Sequence, residues 1–289
     1  MPARPRVALA TCDWLPDLDE DGPELCAALT RAGLDALPVV WSDPGVRWAA
    51  FDLVVVRSTW DYTVRREEYL GWSEQIARLE NPAAVLRWNT DKRYLAELAT
   101  AGVPVVPTRW LRPDEAFQPP EGEYVIKPTV GSGAREAARY GPGDDATGHV
   151  HRLQDDGRVV MLQPYLPGVD VVGETSMVFV DGALSHVAHK RAILETGVGV
   201  REVNSRSCVS PGQATREQVE LAVAALAVVP GPAPLLYARV DVVPGPTGAP
   251  VVLELELTEP SLFLRHAPGS AERFAGAVCR RIAGMGCGG

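Results

Sequence analysis

Paired cysteines are missing from this chain. Its five thiols (Cys12, Cys26, Cys208, Cys279 and Cys287) are odd in number, scattered, and without metal-clip spacing. That excludes a disulfide framework and points to reduced thiols in a cytoplasmic protein. Basic charge is also short. Twenty-eight Lys and Arg stand against 37 Asp and Glu, for a net charge of −9, which argues against nucleic acid as a partner. Long apolar runs are lacking too. The Ala-rich run from Val219 to Val229 is too short for a membrane span. The basic start, Arg4 to Arg6, precedes only Val7–Ala10 before Cys12-Asp13-Trp14. It reads as a first strand rather than a signal peptide. No internal repeat is present.

What is there is an ordinary globular composition, 46% hydrophobic and 22% charged over 289 residues, long enough for two or three subdomains. Arg6–Thr11, Leu37–Trp41 and Asp52–Arg57 read as strands. Helices are expected at Gly22–Ala32, stopped by Gly33, and at Val64–Leu79, with Tyr69, Trp72, Ile76 and Leu79 at helical spacing. Continuous apolar strands in this order predict an open parallel sheet. Ligands of such sheets sit beyond the strands' carboxyl ends, here Asp13-Trp14 and Arg57-Ser58-Thr59-Trp60-Asp61. Farther on, the pattern predicts a helix at Asn89–Ala101 and strands at Tyr124–Pro128 and Val159–Tyr165. A hairpin follows around Asp181-Gly182, then a long loop at Val198–Gly212 and helices at Arg216–Val228 and Ser270–Ile282.

Two late strands carry the most informative pattern. Tyr237-Ala238-Arg239-Val240-Asp241 and Leu253-Glu254-Leu255-Glu256-Leu257 each place charged residues two apart, hence on one face. If the strands are neighbours, Asp241, Glu254 and Glu256 converge with Arg239, a set suited to Mg²⁺ on nucleotide phosphates. A half-exposed strand with alternating polar residues fits the same pattern. Lys127 ends a strand before a loop holding Gly131, Ser132 and Gly133, whose amides can approach phosphate. This is neither the Walker nor the Rossmann pattern, and a flexible turn with an exposed lysine also fits. Lys92, near a helix start, is by default a solvated lysine. Gln163-Pro164-Tyr165-Leu166 ends a strand and suits either an adenine edge or an ordinary sheet edge.

In this order the residues resemble the ATP-grasp ligases. The matching elements are Lys92, Ile126-Lys127-Pro128 with its glycine loop, Gln163–Leu166, Gly173-Glu174, Lys190, Arg239-x-Asp241 and Glu254-x-Glu256. More narrowly, Val56–Tyr62, Arg87–Lys92 and Glu259–Phe263 are similar to the O-ureido-serine cyclo-ligase group of cycloserine biosynthesis, close to glutathione-synthetase-like ligases. The resemblance implies an α/β protein with an N-terminal open parallel-sheet substrate domain (1–88), a central lid (89–165) and a C-terminal antiparallel-sheet catalytic unit (166–289). It implies ATP and Mg²⁺ as cofactors, a small amino-acid-type substrate, and pairing as a homodimer.

Roles follow from the same resemblance. Lys92 and Lys127 hold phosphates, Gly131–Gly133 closes over them, and Gln163–Leu166 takes adenine. Glu174, with Asp170 competing, takes ribose. Lys190 approaches the phosphates. Asp241, Glu254 and Glu256 bind Mg²⁺, although Glu256 stands where the family has Asn. Arg239 neutralises an acyl phosphate. Asp13, Trp14, Arg57, Ser58, Thr59 and Asp61 are expected to read the substrate, with Arg57 pairing a carboxylate. The loop around Arg201, Asn204 and Arg206 is expected to act as a lid, and His186 and His189 to be packing or surface residues. The expected chemistry is carboxylate activation by ATP followed by attack of nitrogen, within one molecule or between two. A kinase on the same fold is the competing enzyme, and a regulatory nucleotide-binding domain the non-catalytic alternative.

Overall fold

The computed structural model describes residues 3–197, 199–200, 209–232 and 234–285. Three sheets build it. The first is parallel, with strands β1 (Arg6–Thr11), β2 (Asp35–Val40), β3 (Leu53–Ser58) and β4 (Leu79–Glu80) in the order β2-β1-β3-β4. The apolar runs of β1 and β3 are buried along nearly their whole length, as a sheet covered on both faces requires. Helix α1 (Gly22–Arg31) carries Pro23 in its first turn, where it loses no helical bond, and ends before Gly33 at φ +86°.

The helix expected over Val64–Leu79 is shorter. A 3-10 turn spans Trp60–Val64, α2 covers Arg66–Glu74, and Leu79 leaves the helix to pair with Val54. A buried edge position on the sheet outweighs helical spacing at that residue. Of the helix expected at Asn89–Ala101, α4 forms over Tyr94–Thr100, while Asn89 instead ends a separate helix, α3 (Ala83–Asn89). Asn89 does not cap α4. Its amide instead donates to Leu255 O at 2.9 Å, and its oxygen accepts from Leu257 N at 2.8 Å.

The second sheet is antiparallel, with β5 (Arg109–Leu111), β6 (Tyr124–Pro128), β7 (Ala138–Tyr140) and β8 (Val160–Pro164) ordered β5-β8-β6-β7. Helix α5 (Thr147–Asp155) covers it through Val150 and Leu153. After the short α6 (Gly168–Val172) comes the third sheet. It comprises β9 (Glu174–Val180), β10 (Ala183–Lys190), β11 (Val209–Pro211), β12 (Tyr237–Pro244) and β13 (Pro250–Glu256), ordered β11-β10-β9-β12-β13 and antiparallel throughout. Asp181 (φ +52°) and Gly182 (φ +78°) turn the β9–β10 hairpin, the two left-handed residues that a tight hairpin demands.

Part of the expected 198–212 loop is strand, because Val209–Pro211 pairs with β10. Arg201, Asn204 and Arg206 lie outside the described residues, as does Cys208. Helices α7 (Arg216–Leu226) and α4 bury Leu221, Tyr94, Leu95 and Leu98 against one face of the third sheet. Helix α8 (Ser270–Met285) packs on α1 and on the other face of that sheet, through Phe274 and Val278 with Leu29 and Val178. Sheets one and three therefore share a core. Among the described residues no helix is long and apolar enough to cross a membrane, and Cys12, Cys26 and Cys279 are free thiols.

Candidate active site

A cleft of about 1010 Å³ opens between the second and third sheets, with the first sheet closing one end. Antiparallel register sets its floor. Arg239 stands opposite Glu256, Asp241 opposite Glu254, and Lys190 opposite Glu174. Alternation brings these side chains to one face. Asp241 accepts from Arg239 Nε (3.0 Å) and Nη2 (2.9 Å) and from Lys190 Nζ (2.8 Å). Lys190 also pairs with Glu174 at 2.6 Å, and Arg239 with Glu256. Gly173 lets β9 leave α6 at this point: its φ is +79°, and a Cβ there would lie 2.4 Å from Lys190 O.

The opposite wall carries Lys127 at the end of β6 and the 131–137 turn. Lys92, between α3 and α4, donates to Gly131 O and pairs with Glu254 at 3.1 Å. Its backbone N bonds Thr129 O at 2.9 Å. Arg158 pins the far side of the turn through Glu136 (2.7 Å) and Val130 O (3.1 Å). The Lys127 ammonium makes no hydrogen bond or ion pair among the described residues, while its backbone lies in the β6–β8 ladder opposite Met161. The entire sequence contains three lysines, Lys92, Lys127 and Lys190, and all three line this cleft. Lysine scarcity is a signal that motif reading missed.

At the back, Gln163, Pro164, Tyr165 and Leu166 line the cleft. The Gln163 side chain is turned onto Thr108 Oγ1 (2.8 Å), and the Tyr165 amide is used by Glu123 O (2.8 Å). The Leu166 amide has no backbone partner among the described residues. Of the two ribose candidates, Glu174 lines the cleft. Asp170 is outside its wall, held by Arg139 (3.1 Å) and the Tyr165 hydroxyl.

Charge separates the carboxyls. Burial raises the Asp241 carboxyl, but Arg239 and Lys190 prevail and hold it well below the usual range. Glu254 is lowered likewise: burial opposes, while Lys92 and Lys127 win. Glu256 is pushed up to about 7 by burial against the pull of Arg239, with Glu254 and Asp241 adding repulsion. Glu259 is pushed up to about 8 by burial and by Glu256. Burial and the neighbouring Lys92 lower the Lys127 ammonium.

The donor set fits a hard divalent cation only in part. Asp241, Glu254 and Glu256 supply oxygens on one face, yet among the described residues no three His, Cys, Asp or Glu converge as a ready cage. Each carboxylate is instead bound to a lysine or arginine. Mg²⁺ commonly takes one or two carboxylates plus phosphate oxygens, so the residues fit as the protein half of such a site.

The substrate end corrects an expectation. Arg57 is buried and donates to Pro260 O at 3.0 Å, with Asp19 at 3.9 Å. Ser58 accepts from Asp19 N (3.1 Å), and Thr59 bonds the Tyr69 hydroxyl (3.3 Å). Asp61 accepts from Trp41 Nε1 at 2.7 Å. Asp13 is exposed, and exposed Trp14 stacks under Arg135 at 4.7 Å. None of these six lines the cleft. Its N-terminal wall is Glu20 and Trp60, facing Glu259, Ser261 and Phe263. The sequence pattern placed strand ends correctly, but it did not reveal which end residues are spent on holding loops. His186 bonds Leu262 O at 2.6 Å, and His189 approaches Thr175 at 3.5 Å.

A lysine-lined cleft between two antiparallel sheets, floored by paired carboxylates and abutting a parallel-sheet domain, defines an ATP-grasp ligase, an enzyme that forms C–N bonds with ATP. Residues 7–82 match the family model described as D-cycloserine synthetase DcsG, N-terminal domain. The cycloserine biosynthesis protein DcsG of Streptomyces lavendulae is 39% identical over 295 residues, covering 96% of this chain and 98% of that one. The crystal structure of D-cycloserine synthetase DcsG superposes with a TM-score of 0.88 at 38% identity, covering 96% of this chain and 99% of that one. A RimK-domain ATP-grasp protein from Sphaerobacter thermophilus shares the fold at TM-score 0.66 and 18% identity, covering 96% and 99% of the two chains. The chain belongs to the DcsG family of ATP-grasp ligases.

Proposed function

We propose that this enzyme closes a small amino-acid derivative on its own nitrogen, converting O-ureido-D-serine to the cycloserine ring with ATP. The observation that carries the reading is the joint occurrence of the three-lysine cleft and whole-length similarity to a cycloserine biosynthesis protein. Lys92, Lys127 and Lys190 neutralise the phosphates, and the Gly131-Ser132-Gly133 turn covers them. The Gln163–Leu166 segment receives adenine, with the Leu166 amide as the donor, and Glu174 receives ribose. Asp241, Glu254 and Glu256 are the residues that hold Mg²⁺, which when bound offsets phosphate charge. Arg239 moves between its carboxylate partners and the forming acyl phosphate, whose negative charge exceeds that of either partner. The substrate carboxylate takes the γ-phosphoryl group. The substrate's ureido nitrogen, the one bonded to oxygen, then attacks the acyl carbon, losing its proton as phosphate leaves. Water afterwards removes the carbamoyl group still on that nitrogen as carbon dioxide and ammonia, which frees the ring. Closure of the cleft keeps water from competing with that nitrogen.

The test is phosphate release with ATP, Mg²⁺ and a panel of amino acids that includes O-ureido-D-serine, with products identified by mass spectrometry. Stoichiometric ADP and phosphate with a cyclised product is the expected result. A joined pair of amino acids identifies an intermolecular ligase, and a phosphate ester identifies a kinase; either would overturn ring closure.

A further inference from the structure

Most carboxylates of the cleft already have a basic partner. Glu20 has Arg265 at 2.8 Å, Glu136 has Arg158 at 2.7 Å, and Glu254 has Lys92 at 3.1 Å. Glu174 and Asp241 share Lys190, and Glu256 has Arg239. Glu259 alone of the acidic residues on this wall makes no ion pair among the described residues, although it is only 7% exposed. Its carboxyl bonds the Tyr62 hydroxyl, and with no ion pair to offset it burial pushes it up to about 8, because a dry carboxylate is costly until a positive charge compensates it. Its main chain is nonetheless clamped. Trp60 Nε1 donates to Glu259 O (3.3 Å), Arg57 to Pro260 O (3.0 Å), Arg239 to Ser261 O (3.0 Å), and the Leu262 amide reaches Asp21 (2.8 Å). The loop is fixed from both the first and the third sheet, and the carboxyl it presents, bonded to the Tyr62 hydroxyl, lines the cleft without a cationic partner among the described residues.

We infer that Glu259 is the subsite for the substrate's protonated amino group. The compensating cation arrives with the ligand, and the pre-fixed loop means little ordering is lost on binding. Trp60 and Phe263 add aromatic surface to the same cleft, the Phe263 ring centroid already lying 5.1 Å from the Arg239 guanidinium, and such surface suits an ammonium. Arg239 grips the same loop two residues on, so the carboxylate-handling and ammonium-handling groups share one rigid segment. The ligand class is therefore a zwitterionic amino acid with its amine unblocked. The inference rests on the proposed function for its choice of carboxylate, and it adds which other group of the substrate is read.

The experiment compares O-ureido-D-serine with its analogue lacking the amino group, in wild type and Glu259→Gln. Expected is a loss of kcat/KM on the order of 100-fold for the amino substrate in the variant, carried mainly by KM, against less than about threefold for the des-amino analogue. ADP affinity stays unchanged. Equal losses on both compounds, or a variant that still prefers the amine, would overturn the subsite. So would full activity of Glu259→Gln, since a neutral amide would then serve as well as the carboxylate. If wild type does not turn over O-ureido-D-serine, ring closure falls by itself. Calorimetric binding of D-alanine and D-serine against propionate and 3-hydroxypropionate, with ADP present, then decides the subsite. Amine-dependent affinity lost in Glu259→Gln upholds it, and amine-independent or absent binding overturns it.

Discussion

Arg57 donates from Nη2 to the carbonyl oxygen of Pro260, 203 residues away, at 3.0 Å, and both groups are buried. The guanidinium thus ties the end of β3 to the loop that walls the substrate end. Asp19 lies 3.9 Å from it, with its own carboxyl pushed up to about 6 by burial against the pull of Arg57.

Arg57→Ala therefore acts on the fold first. It leaves Asp19 buried without its cation and frees Pro260 O, at a cost of about 3 kcal/mol at neutral pH. Urea denaturation at pH 7.5 reads this as a lower midpoint. An unchanged midpoint with a raised substrate KM would instead place Arg57 against the substrate.

Lys127 and Lys92 make a contrasting pair. Lys127→Met removes no protein hydrogen bond, so stability stays within about 0.5 kcal/mol. Nucleotide Kd rises about tenfold or more, because an ammonium facing phosphate is lost. Lys92→Met breaks the bonds to Gly131 O and Glu254, leaving a half-buried carboxylate with only the more distant Lys127 to offset it. It lowers stability and nucleotide affinity together. Isothermal titration beside thermal melting separates the two; a Lys127 variant that melts early but binds normally would refute its assignment.

Much of this was legible in the sequence, for a physical reason. Strands that alternate charge with apolar residues announce their facing pairs, so Arg239, Asp241, Glu254 and Glu256 could be put on one face before any register was known. Asp181-Gly182 marks its hairpin because few residue pairs accept two left-handed conformations. What stayed hidden depends on partners distant in sequence. Asn89 has the residue type of a cap, yet bonds Leu255 and Leu257. Leu79 has helical spacing, yet completes a sheet. Arg57 has the chemistry to read a substrate, yet reads Pro260. Glu259 was visible in Glu-Pro-Ser-Leu-Phe, but only a census of ion pairs distinguishes it from its neighbours.

Asp241→Asn keeps the shape of its side chain and removes the charge that Arg239 and Lys190 both use. Turnover falls on the order of 1000-fold, as for other losses of transition-state electrostatics. The two cations then repel across a neutral amide, so stability falls by about 2 kcal/mol as well. Single-turnover kinetics with a melting curve test both. Wild-type turnover would remove Asp241 from the phosphate-handling set.

Amine-selective labelling follows from the lysine count. Among amines, acetic anhydride at pH 8 meets Lys92, Lys127, Lys190 and the α-amino group, and hydroxylamine treatment afterwards removes acetyl from any tyrosine or cysteine. The Lys127 ammonium has no ion-pair partner among the described residues, and burial favours its neutral, nucleophilic form, so mass spectrometry finds it acetylated first. Lys92 and Lys190 are shielded by carboxylates, which raise both ammonium groups despite burial. Saturating ATP slows the Lys127 reaction and preserves activity in parallel. Equal labelling of all three lysines, or no protection by ATP, contradicts the assignment.

Acid loosens the glycine turn through His149. Burial, with help from Arg152, lowers its imidazole to about 4. It sits between the Tyr140 hydroxyl (2.9 Å) and Glu136 O (3.0 Å), at the base of the turn. The unfolded chain takes up its proton near 6.5 and the folded chain only near 4. The neutral ring's contribution is thus complete above about 6.5 and is lost as pH falls toward 4. The full gap corresponds to about 3 kcal/mol. His149→Gln, which can still donate to Glu136 O, removes that slope. Urea midpoints measured from pH 7.5 to 4.5 should fall more steeply in wild type than in the variant. Parallel curves would show that His149 is not held neutral by the fold.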